Sequence, residues 1–205
     1  MLTRRPTTVR SAPILLAALL LAGCSGFRGG GSGGSATLAS EISEVMLKST
    51  LPTRAYTYQD KNTADIYLTD LSQAQLTNFF ENDADWSTFT GSMVHIHLFL
   101  DPKPGKTPIE PTAANATVRY IVLANGEIGV YDGAGFILPG KKIGKGSLSG
   151  ALHGAPAKLT RKTARFNDPL PATRLDLSFG AKENTPLADE LRARIDALSS
   201  AADPV

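Results

Sequence analysis

The chain has three histidines, and two of them are spaced to act together. His95 and His97 stand two apart in Ser92–Leu100 (SMVHIHLFL), a run whose alternation reads as a strand. Residues two apart on a strand project to the same face. Paired imidazoles can share a first-row metal. With His153 as a third nitrogen ligand, the fourth position would be open to water, as in a catalytic zinc site. The same alternation also offers a simpler role. Val94, Ile96, Leu98 and Leu100 form the opposite, apolar face, so His95 and His97 sit on the polar side whether or not they bind anything. Strand geometry makes only these two neighbours, and His153 lies far along the chain in the glycine-rich stretch before Gly154. The expectation is that His153 does not join them.

Other reactive patterns fail on spacing. Gly146-Ser147-Leu148-Ser149-Gly150 has leucine where a nucleophile elbow needs serine. Gly144-Lys145-Gly146-Ser147 lacks the length of a phosphate-binding loop. No carboxylate has a recognisable acid–base partner. Asn115-Ala116-Thr117 matches a glycosylation sequon, read here as chance.

The elements that would hold these residues follow an opening of a different kind. Arg4, Arg5 and Arg10, with no acid among them, precede the nine-residue apolar run Ile14–Ala22. A membrane-crossing helix needs about 20 residues, so the run reads as the core of an export signal. It ends on Leu21-Ala22-Gly23-Cys24, which resembles the lipobox of bacterial lipoproteins. The resemblance covers only the first 25 or so residues. It implies cleavage before Cys24 and acylation, with palmitate-type chains, of the thiol and the new amino terminus. Covalent lipid on Cys24 is then the one group expected, and no other cofactor is. The implied location is the cell membrane or outer membrane, facing the periplasm or exterior; Ser25 after the cysteine favours the outer membrane in a cell that has one. Cys24 is the only cysteine, so the fold has no internal disulfide, and the acylation that the resemblance implies would leave no free thiol for catalysis.

Processing changes the charge. The formal net of +2 includes the three signal arginines, so the chain from Cys24 carries 18 bases against 19 acids, a net of −1. Nucleic acid is therefore not an expected partner. The layout reads as a signal peptide (1–23), a lipidated cysteine with a Gly/Ser-rich tether (24–36) and a single β-rich domain (37–200). A flexible tether of that length spans roughly 20 Å.

Residues 37–51 are ambiguous: Ile42, Val45 and Met46 fit a helical face, with Glu44 and Lys48 four apart, but the segment is short and rich in Ser and Thr. From Thr53 onward, runs rich in Tyr, Thr, Val and Ile broken by Gly, Pro and Asn read as strands at 53–59, 63–69, 92–100, 115–124, 127–132, 135–138, 146–152, 157–164 and 173–179. Asn125-Gly126 suits a type I′ hairpin, which sets Leu123 against Ile128, Ile121 against Val130 and Arg119 against Asp132. Apolar residues on both hairpin faces place it centrally, covered on both sides. Leu71–Phe80 reads as a short helix and Asp101–Pro111 as a stiff proline-rich loop. Thr185, as N-cap, opens a final helix with the stripe Leu187, Leu191, Ile195 and Leu198. The expected fold is mainly β, an antiparallel sandwich or barrel of about eight strands with a C-terminal α-helix.

Charge is also segregated: Asp60–Asp101 has seven acids and one base, and Lys141–Asn167 seven bases and no acid. The bases could meet anionic headgroups or a cell-wall polymer, or simply neutralise the acidic stretch alongside. The functional expectation is a lipid-anchored, non-catalytic binding or structural module of the cell envelope. Its partners would be the membrane, through the anchor, and an envelope protein or cell-wall polymer. A barrel-type carrier of an apolar ligand and a metal-dependent enzyme using His95, His97 and His153 are the alternatives.

Overall fold

In the computed structural model, which describes residues 33–81, 88–102 and 113–205, Asn125 and Gly126 both take positive φ, 53° and 76°. That backbone matches the right-handed twist of the flanking strands, and the pairing follows as expected: Leu123 opposite Ile128, Ile121 opposite Val130, Arg119 opposite Asp132. The described strands are β1 (Ser35–Ser40), β2 (Met46–Thr50), β3 (Thr53–Tyr58), β4 (Ala64–Thr69), β5 (Gly91–Leu98), β6 (Ala116–Ala124), β7 (Glu127–Gly135), β8 (Ser147–Lys162), β9 (Thr173–Glu183) and β10 (Asp203–Pro204). The helices are α1 (Gln73–Glu81) and α2 (Thr185–Ser200).

From β3 to β9 each strand pairs antiparallel with the next, and β9 returns to pair parallel with β3 at Ala55–Lys182 and Tyr56–Glu183. These pairings close a seven-stranded ring, so the architecture is a barrel. β8 is one long strand where two short ones were expected; it pairs with β9 along its first part and with β7 along its second, with an irregularity between Leu152 and Ala155. The segment 135–138 likewise begins as the end of β7.

Strand alternation divides the side chains into two cores. Tyr56, Ile66, Leu68, Val94, Ile96 and Tyr120 belong to the inner cluster. Met93, Ile121, Leu123, Ile128 and Val130 face outward and are buried with Leu191, Ile195 and Leu198 of α2. Leu71, Leu76, Phe79 and Phe89 join that outer cluster, so α1 packs as core. The N-cap of α2 is Asn184, one residue earlier than expected: its Oδ1 accepts from the Leu187 amide, which leaves Thr185 and Pro186 to begin the helix. At the far end Arg161 donates to the Ser199 and Ala202 carbonyls, placing a cation at the negative end of the helix.

The ambiguous segment is the β1–β2 hairpin. Ser40 decides it, because its Oγ accepts from the Ile42 and Ser43 amides and donates to the Pro171 carbonyl, bonds that compete with helix formation. The residues that would have formed a helical stripe, Ile42, Val45 and Met46, are exposed. β1 lies between β2 and β9, and β2 brings Ser49 to a buried triangle of hydroxyls in which Ser49 Oγ is 2.7 Å from Tyr120 Oη and 3.0 Å from Ser92 Oγ, and Tyr120 donates to Ser92 at 2.9 Å. Three hydroxyls, each with one proton, can close such a cycle.

Among the described residues the hydroxyl of Tyr56, buried in the same core, has no partner of hydrogen-bond geometry. Tyr120→Phe is therefore expected to cost about 1–2 kcal/mol, and Tyr56→Phe to be neutral or slightly stabilising. Urea denaturation of the two variants checks the contrast, and equal losses would refute it.

Candidate functional site

Beyond the area covered by α2, the outward face of the barrel turns polar. Adjacent strands bring Asp65 opposite His97, His95 opposite Arg119, and Arg119 opposite Asp132, so four strands contribute to one stripe. His95 Nε2 and His97 Nδ1 each lie 2.8 Å from the same oxygen, Asp65 Oδ1. A carboxylate only accepts, so both of those ring nitrogens carry protons and donate. In neutral rings the lone pairs then sit on His95 Nδ1 and His97 Nε2. Tyr67 stacks on His95 at 4.6 Å between ring centres, nearly parallel, which fixes the plane of that imidazole. Burial, and then the charge of Asp65, push the Tyr67 phenol well above its ordinary range, so it stays protonated.

The stripe continues through Arg119, whose Nε donates to Asp132 Oδ1 at 2.9 Å, and Asp132 Oδ2 accepts from Thr160 at 2.7 Å. His95, His97, Thr117, Arg119, Asp132 and Gly133 line a shallow groove of about 450 Å³. Such a groove offers hydrogen-bond donors and acceptors of both charges to a polar ligand.

The structure thus brings two of the three candidate metal ligands together. His153 lies elsewhere, on β8, with its Nδ1 3.6 Å from Asp176 of β9. Among the described residues, no group of three or more His, Cys, Asp or Glu is placed to hold a metal ion. Cys24 and the lipobox, most of the 101–111 loop and residues 82–87 lie outside the described residues.

Sequence reasoning missed Asp65, which it counted only as one acid of an acidic stretch. Its signal was parity. On β4 it shares the outward face with Tyr67, and pairing β4 with β5 puts that face beside the histidines.

Burial alone would raise the Asp65 carboxyl, but hydrogen bonds from His95 and His97, and their charge, outweigh it and hold it below the usual carboxylate range. The stability this contributes is present above the unfolded value near pH 4 and lost as pH falls through the folded one. Asp65→Asn is expected to cost about 1–2 kcal/mol at pH 7. The gap from the unsubstituted protein should then close as the pH is lowered below about 4. Urea titrations across pH read this directly, and a gap independent of pH would refute it.

A second, larger depression of about 760 Å³ lies at one end of the barrel, between the β3–β4 turn, the residues after β5 and the β7–β8 connection. Asn115, fully buried, holds two of these segments: its Nδ2 donates to the Leu100 and Ile137 carbonyls, and its Oδ1 accepts from the Ile137 amide. The nitrogen that a glycan would join is thus engaged inside the fold.

The chain matches no family model, no curated protein and no solved structure.

Proposed function

We propose that this chain is a lipid-anchored protein of the cell envelope whose barrel serves as a non-catalytic binding module. The observation that carries the binding reading is where the concavities lie. One opens on the outer face of the barrel and the other among the loops at its end, while the inward side chains pack against one another as core, so a ligand meets the surface and its loops. In the histidine groove the ionisable groups already engage each other, Asp65 with two imidazoles and Arg119 with Asp132, which suits recognition better than proton transfer. The anchor reading is supported by the lipobox at Leu21–Cys24 and by the short glycine-rich stretch between it and β1. Among the described residues no helix is long and apolar enough to cross a membrane.

Mass spectrometry of the mature protein tests the anchor. Two or three acyl chains on Cys24 are expected, with Cys24→Ala giving an unprocessed or released form. Unmodified, soluble wild-type protein would remove the membrane from the proposal.

A further inference from the structure

One end of the barrel gathers both lysines and apolar side chains. Lys61, from the β3–β4 turn, and Lys141, Lys142 and Lys145, from the β7–β8 connection, line the larger depression together, with Asp101 as the acid among them. Leu138, Pro139, Pro102 and Ile143 supply its apolar walls. Large apolar side chains are also exposed at this end: Tyr58 at 40%, Phe99 at 43%, Leu100 at 42% and Leu138 at 60%.

The surface is built into the fold. Gly144 and Gly146 hold the lysine-bearing connection through left-handed φ of 78° and 72°, and the Tyr58 ring lies so close to Gly144 that an added Cβ would sit 3.3 Å from it. Asn115 ties the Leu100 and Ile137 backbones together beneath it. Elsewhere in the Lys141–Asn167 segment Arg161 is engaged at the end of α2, Lys162 on the Phe166 carbonyl and Arg165 on Glu127, and in the depression itself Lys141 donates to Ser147.

We propose that this end docks on an anionic phospholipid surface, with the lysines on headgroup phosphates and the exposed apolar side chains in the interfacial layer. The chain from Cys24 is net negative, so four lysines around one depression are a local feature and not an overflow of basic composition. An acidic polymer in water would require only the charge. Apolar groups left exposed among lysines fit a boundary with one wet and one apolar side. β1 runs antiparallel to β9 and so away from this end, and the chain therefore enters the fold from its side. The inference rests on the membrane-tether reading for which surface lies within reach; the affinity of the face itself does not depend on the anchor.

The test uses the chain from residue 24 with Cys24→Ser, which keeps every described strand and helix. It is sedimented with vesicles of phosphatidylcholine alone and of phosphatidylcholine mixed with phosphatidylglycerol. Binding is expected only to the mixed vesicles, weakening steeply with added salt. A lysine near such a surface contributes roughly a fivefold gain in binding, so Lys142→Gln with Lys145→Gln should weaken binding roughly 25-fold. Leu138→Ser should weaken it with the salt dependence unchanged, and a thermal melt confirms that each variant is folded.

Absence of binding to the mixed vesicles, or equal binding by the lysine variant, would overturn the proposal. So would tighter binding to soluble polyglutamate, indifferent to Leu138→Ser, which would mark an acidic polymer as the partner. Failure of the anchor reading is seen separately, as an unmodified Cys24 in the mass spectrum.

Discussion

Asn115→Ala is expected to be among the most damaging single substitutions in this protein, lowering stability by about 3–5 kcal/mol. The side chain is fully buried and makes three hydrogen bonds to backbone groups, two of them to Ile137 in the interior and one to the carbonyl of the exposed Leu100. Each buried group left unsatisfied costs about 1–3 kcal/mol. For a chain of this size such a loss lowers the melting temperature by roughly 10 °C. Asn115→Asp should be at least as harmful, because it replaces the donor that serves two carbonyls with a second acceptor. Calorimetry of both variants gives the answer, and a shift of a degree or two would show that the two loops hold their shape without this residue.

The second large effect concerns where the fold begins. A chain starting at Gly33 should melt with the full mature protein, whereas one starting at Thr37 should lose about 2–3 kcal/mol. The expected domain boundary at residue 37 falls inside β1. Ser35 and Ala36 pair with β2 on one side and β9 on the other, Ala36 is buried in the inner core, and the Gly34 carbonyl accepts from the Leu51 amide. Equal melting of the two truncated chains would return the boundary to Thr37.

That boundary shows what could be read from the chain and what could not. Gly34, Ser35 and Ala36 have a linker's composition, and nothing local separates a small residue in a tether from one between two strands. By contrast, the register of β6 and β7 was legible residue by residue, because one turn type fixes the pairing outward from Asn125 and Gly126. Residue type between turn residues likewise identified β3 and β4, alternation identified β5, and helical spacing the stripe of α2.

The closed ring was not legible, because it depends on a two-residue parallel contact between β3 and β9 that leaves no trace in either sequence. The histidine pair was found through its spacing, but its partner Asp65 belongs to another strand, and only the register of β4 on β5 brings it there. Lys61 was hidden in the same way, a lone base in an acidic stretch that folding carries to three lysines some eighty residues on.

Ring closure by β9 also sets an order of events. Ser35 lies opposite Ser178, and Ala55 beside Lys182, so the contacts that complete the barrel join the first part of the domain to a strand made almost last. Contacts so distant in sequence carry a large loop-closure entropy and form slowly. Until residue 183 is available, β1 and β3 lack the neighbour they share, and a chain passing through a translocation channel would stay unfolded over most of its length. On the reading of Cys24 as an acylation site, the amino terminus would then be processed while the domain behind it is still an open chain, and the barrel would close only after β9 had followed.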